Sequence, residues 1–69
     1  MSDPYFERNI EVGGTQCVAM ISEGLPGGVF KAHVRLPDGR VRPVPGLFST
    51  EGAVVMAAID RARAILQGD

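Results

Sequence analysis

The sequence predicts an α+β domain: a three-stranded, or four-stranded, antiparallel sheet with one C-terminal α-helix packed on one face. Three observations carry this prediction. Phe30, Ala32, Val34 and Leu36 alternate with Lys31, His33 and Arg35, a period of two that puts the apolar side chains on one face of a strand. Pro37-Asp38-Gly39 follows directly, and these residues suit, in that order, the two corners and the bulge of a hairpin. Beyond Ser49-Thr50 the apolar residues recur at helical spacing.

Taken in order, residues 1–8 are polar and loosely patterned, and are expected to be poorly ordered. Tyr5 and Phe6 are the anchors there, and the segment should fray or lie against a sheet edge. Ile10 and Val12 alternate with Asn9 and Glu11 as in a short strand, which Gly13-Gly14 interrupts at a bulge or turn. Gln16 to Ser22 reads as a strand with Cys17, Ala19 and Ile21 on one side and Val18 and Met20 on the other. Both sides are apolar, so the pattern alone does not choose the inward one. Glu23-Gly24-Leu25-Pro26-Gly27-Gly28 is a long connection, expected to be mobile.

After the Val29 to Leu36 strand and its turn, Arg40 to Val44 should return with Val41 inward and Arg40 and Arg42 outward. Pro43 and Pro45 cannot donate to a ladder, which keeps this strand short or at a sheet edge. Ser49 or Thr50 can cap the helix, and Glu51 places negative charge in its first turn. Val55, Ile59, Ala62 and Leu66, flanked by Met56, Ala58 and Ile65, are expected to form the buried stripe. Ala53, Ala57 and Ala64 should then lie on the exposed side, and Gly68 can close the helix. The stripe needs a partner, and the Phe30–Leu36 face is the one of suitable size.

At 69 residues there is room for one domain, spanning 1–69. A chain this short buries only about 60% of its unfolded surface. With one cysteine (Cys17) and one histidine (His33), neither a disulfide scaffold nor a four-ligand zinc site can form within the chain, and a reducing, cytoplasmic setting is expected. Met1-Ser2-Asp3-Pro4 lacks the basic and apolar regions of a signal peptide, and the apolar run from Ala53 to Ile59 is too short to cross a bilayer. No membrane association and no cofactor are expected. The net charge of −1 supplies no global attraction to nucleic acid.

A nucleophile needs a base and the base an orienting group, and Cys17 with His33 is the one conceivable pair, with no third partner implied. The thiol reads better as a small hydrophobe and the imidazole as a solvated side chain. The acidic residues are scattered, and the glycine-rich segments lack the lysine and the strand-to-helix setting of a phosphate loop. No catalytic, cofactor-binding or metal-ligating residue is therefore assigned, and the chain is not read as an enzyme.

Charge is distributed unevenly. Residues 31–42 hold four of the seven Lys/Arg and one acidic group, Asp38, giving +3 against −4 for the rest of the chain. Lys31, His33, Arg35, Arg40 and Arg42 are expected to project from the outer face of the 29–44 hairpin, a candidate surface for nucleic acid or another partner. An uncovered sheet face also needs polar residues simply to stay in water and resist edge pairing. No aromatic residue joins the basic set to stack on bases. The alanines of the helix offer a second candidate, a symmetric dimer through close helix approach.

The stretches Gly28-Val29-Phe30-Lys31-Ala32-His33-Val34-Arg35-Leu36, Pro37-Asp38-Gly39-Arg40 and Phe48-Ser49-Thr50-Glu51-Gly52-Ala53, with the alanine-rich helix through Leu66, resemble the short uncharacterised proteobacterial proteins of β-β-β-α layout. That resemblance covers about two thirds of the chain and implies no catalytic residues. Pro45-Gly46, Ser49-Thr50-Glu51 and Ala53 are also similar to HicB-like antitoxins, whose fold is a partial double-stranded-RNA-binding-like one; Gly52 stands where those carry a second acidic residue. The reading is a small non-enzymatic interaction module whose partner is an unknown protein or a second copy. Nucleic-acid binding through Lys31, His33, Arg35, Arg40 and Arg42 is the alternative, and a HicB-like antitoxin or toxin-partner role the third.

Overall fold

The computed structural model describes residues 5–23 and 26–68. The expectations for residues 1–4, and for Gly24 and Leu25 of the long connection, lie outside the described residues. β1 (Tyr5–Val12), β2 (Thr15–Ser22), β3 (Phe30–Arg35) and β4 (Val41–Phe48) form one four-stranded antiparallel sheet in chain order, followed by α1 (Glu51–Leu66). The architecture is the expected α+β class in its four-stranded form. Tyr5 to Arg8, expected to fray or lie against an edge, are themselves strand and extend β1 along the sheet margin.

Turn chemistry sets the register. Gly13 and Gly14 have φ of 56° and 82°, so a two-residue turn with both corners left-handed closes the first hairpin, with Val12 opposite Thr15. In the third hairpin the Gly39 N–H donates to the Leu36 carbonyl at 2.9 Å, and the Leu36 N–H to the Arg40 carbonyl at 2.8 Å. Gly39 at φ 92° is the bulge residue. That single extra residue decides which way β4 faces. Val34 stands opposite Arg42 and Arg35 opposite Val41, and cross-strand partners share a side. Val41 therefore projects outward, 42% exposed, and Arg42 lies on the Val34 side, the reverse of the expectation for both residues. Ladder bonds alternate from the Leu36–Arg40 closure, so the Pro43 nitrogen, opposite His33, faces the open edge and costs the sheet no hydrogen bond.

One face of the sheet is core. Ile10 and Val12 of β1, Cys17, Ala19 and Ile21 of β2, Ala32 and Val34 of β3 with the following Leu36, and Val44 of β4 are all buried. Val54, Ala58 and Ala62 of α1 complete the cluster, and the helix packs against all four strands. The stripe at the helix centre is thus Val54–Ala58–Ala62 rather than Val55–Ile59–Ala62–Leu66. Leu66 and Met56 are exposed, while Ala57 packs against the core. Small residues win the central positions because Ala19 and Ala32 of the sheet join Ala58 and Ala62 in the same cluster. Short side chains on both elements let the helix lie close over the strands, and the longer Val55, Ile59 and Ile65 flank it. Phe30 and Phe48 are half-buried at the margin, opposite each other beside a register shift, and the Phe48 ring rests over Gly46.

The helix ends are capped locally. Thr50 is extended, and its Oγ1 accepts from the Ala53 N–H at 3.1 Å. At the other end the Gly68 N–H donates to the Ile65 carbonyl with Gly68 at φ 95°. Arg8 ties β1 to the helix start: its guanidinium lies over the Phe6 ring and reaches Glu51 Oε2 at 3.1 Å. Both partners are half-exposed, so the pair contributes at most about 1 kcal/mol.

Candidate functional site

Pairing places the other face of the sheet row by row. Tyr5, Glu7, Asn9 and Glu11 project from β1, and Gln16, Val18, Met20 and Ser22 from β2. Lys31, His33 and Arg35 project from β3, and Val41 and Pro43 from β4. Leu47, next to the inward Phe48, points the same way and is 62% exposed. No described element packs on this face. Its composition is banded: an acidic row on β1, an apolar pair on β2, a basic row on β3 and a second apolar row on β4.

The five basic-type residues singled out in the sequence do not form one surface. Lys31, His33 and Arg35 share the open face. Arg35 reaches across β2 to Glu7 Oε2 at 3.6 Å, and Glu7 also accepts the Tyr5 hydroxyl at 2.7 Å, a bond that pushes the Tyr5 pKa up. Arg40 folds onto its own turn. Its backbone N–H bonds Asp38 Oδ1 at 3.0 Å and its Nε bonds Asp38 Oδ2 at 2.6 Å, and the backbone bond chiefly holds the Asp38 carboxyl below its usual range. Arg42 lies on the helix side of β4, with Nη1 donating to the Val41 carbonyl at 3.1 Å. Sequence alternation found the β3 row. It missed the acidic row because Tyr5 to Arg8 carried no strand signal, and it missed Val41 and Pro43 because the bulge reverses the parity of β4.

Cys17 and His33 lie on opposite sides of the sheet, so no thiol–imidazole pair forms. Cys17 is 3% exposed, and burial pushes its thiol pKa up, the opposite of an activated nucleophile. A cleft of about 270 Å³ lies between the β1–β2 turn and the last helical turn, lined by Val12, Gly13, Thr15, Arg63, Leu66 and Gln67. Its one ionisable group, Arg63, is taken by Asp60 at 3.1 Å. Among the described residues no three His, Cys, Asp or Glu side chains gather as metal ligands. No described helix is long and apolar enough to cross a membrane. The alanine surface expected on the helix is broken, since Ala57 packs inward and Ala64 is half-buried.

The search of protein-family models, of curated proteins and of solved structures finds no match to this chain.

Proposed function

We propose that this protein is a non-enzymatic interaction module that binds another protein through the open face of its sheet. The observation that carries this is the pair of apolar rows, Val18 and Met20 on β2 and Val41, Pro43 and Leu47 on β4, set among charged rows with no described element over them. A sheet face that only needed to stay in water would alternate toward Lys, Glu and Thr. Val41 and Leu47 remain 42% and 62% exposed and Val18 and Met20 keep a smaller share in water, so together they form an apolar patch that a partner protein would cover. The charged rows then supply register, and the apolar rows most of the affinity.

The banding disfavours the nucleic-acid alternative. Arg35 is paired with Glu7, Arg40 with Asp38, and Arg42 is on the other face, so phosphates would meet one lysine and one histidine beside an acidic row. Affinity capture from the native cell, with wild type and Met20→Lys as baits and with nuclease-treated and untreated arms, tests the proposal. It predicts capture that survives nuclease and is lost with Met20→Lys. Capture that disappears with nuclease supports the alternative, and capture indifferent to Met20→Lys overturns the assignment of the surface.

A further inference from the structure

We infer that the partner this face takes is a second copy of the same chain, docked face to face about a two-fold axis running along β2. The inference rests on the interaction-module reading and names the occupant of the part of the face over β1–β3, with Val18 and Met20 at its centre; the β4 row lies outside this footprint. It follows from how the charges are banded. On the open face β1 presents Glu7 and Glu11, β3 presents Lys31 and Arg35, and β2, with Val18 and Met20, lies midway between them. A two-fold axis parallel to the strands keeps every residue at its own height along the strand while exchanging β1 with β3 across β2. Acidic row then meets basic row twice, once on each side of the axis.

The heights agree as well. Glu7, Met20 and His33 share one level, Asn9, Val18 and Arg35 the next, and Tyr5, Ser22 and Lys31 the one on the other side. Glu7 therefore stands over the partner's His33, with the partner's Lys31 and Arg35 about 7 Å to either side. Arg35 falls between Glu7 and Glu11 of the partner. Each cross-interface carboxylate thus has a cation within reach of its side chain, especially once the sheets cross at the usual angle of about 30°. An axis perpendicular to the strands would instead lay β1 on β1 and set glutamates against glutamates. On the chosen axis Val18 meets Val18 and Met20 meets Met20, and methionine adapts readily to such self-packing.

Size sets the strength. Three overlapping strands about 4.8 Å apart, eight residues long at β2 and six where β1 covers the partner's β3, give a footprint of about 320 Å², or about 650 Å² counted on both copies. Standard stable interfaces bury about 1,200–2,000 Å², so this dimer is reversible and dilution separates it.

Sedimentation equilibrium between about 10 μM and about 1 mM, the range in which an interface of this size dissociates, is the test. Wild type is expected to pass from monomer to dimer across the range. Arg35→Glu and Glu7→Arg should each weaken the dimer roughly tenfold, because each reverses one charge in both symmetry-related contacts. An equimolar mixture of the two variants should dimerise nearly as well as wild type, because every acid then faces a base in the heterodimer. Loss of the pair within one chain cannot be repaired by mixing, so rescue is specific to the interface. Met20→Lys, at the axis, should abolish dimerisation, and circular dichroism of each variant checks that the fold is kept. Wild type that stays monomeric to about 1 mM, or a mixture that fails to recover, overturns the inference. If capture that depends on Met20 persists in that case, the interaction-module reading stands without self-association. Capture that ignores Met20 removes both.

Discussion

Neighbouring residues of β2 offer the sharpest energetic test of which face is core. Ile21 is fully buried on the helix side, and Met20 is half-buried on the open side. Ile21→Ala removes three carbons, about 2.4 kcal/mol at about 0.8 kcal/mol each. Part of the resulting cavity persists, since the cross-strand neighbour Ala32 has no long side chain to swing into it, and this adds about 1 kcal/mol. The total of about 3–4 kcal/mol is large beside the roughly 3–10 kcal/mol expected for a domain of 69 residues. Met20→Ala should cost less, about 1–2 kcal/mol in dilute monomer, because Met20 keeps part of its surface in water and its loss opens onto solvent instead of leaving a closed cavity. Urea unfolding followed by circular dichroism reads both. With a slope near 1 kcal/mol/M, Ile21→Ala should lower the midpoint by about 3 M or leave the chain unfolded, and Met20→Ala by about 1–2 M. Equal losses at the two positions, or a larger loss at Met20, would refute the face assignment and with it the open surface.

Thr50→Ala removes the side-chain acceptor of the Ala53 N–H and should cost about 1 kcal/mol in urea unfolding, with Thr50→Ser close to wild type. Cys17 should resist alkylation by a water-soluble reagent in native protein and react freely in urea, since it is buried and its thiol pKa is raised; rapid native labelling would contradict its placement. Asp38 has a depressed folded pKa, so its contribution is present above the ordinary value of 3.8 and is lost as pH falls through the lower folded value. The Arg40 amide resonance should move in that acid window, and Asp38→Ala should abolish the movement.

Much of the fold is legible in the chain because local chemistry there agrees with tertiary packing. The alternation from Phe30 to Leu36, the Pro37-Asp38-Gly39 turn and the Thr50 cap each appear where their residues place them. Three features were not legible, each for a physical reason. β1 reaches back to Tyr5 because an edge strand tolerates Glu7 and Asn9 on its wet face and Arg8 at the helix margin, and these residues carry no hydrophobic period. β4 turns Val41 out and Arg42 in because the Gly39 bulge, though readable in the turn residues, adds one residue and inverts the facing that the Arg40 to Val44 segment shows by itself. The helix is rotated toward Val54, Ala58 and Ala62 because closeness of approach, not side-chain size, decides which stripe faces the sheet. The consequence for the candidate surface is direct. A uniformly basic hairpin becomes a banded face with acid on β1, base on β3 and apolar rows beside them.

Methionine methyl resonances in the presence of a soluble paramagnetic relaxation agent test the open face most directly. Met20 lies on it, and Met56, 60% exposed on the helix, serves as the internal reference. In dilute protein the Met20 methyl should broaden, while the buried Val34 and Val54 methyls stay sharp. Raising the concentration should then protect Met20 and leave Met56 as it was. A Met20 methyl shielded even in dilute solution, with Val34 or Val54 relaxed in its place, would contradict the account.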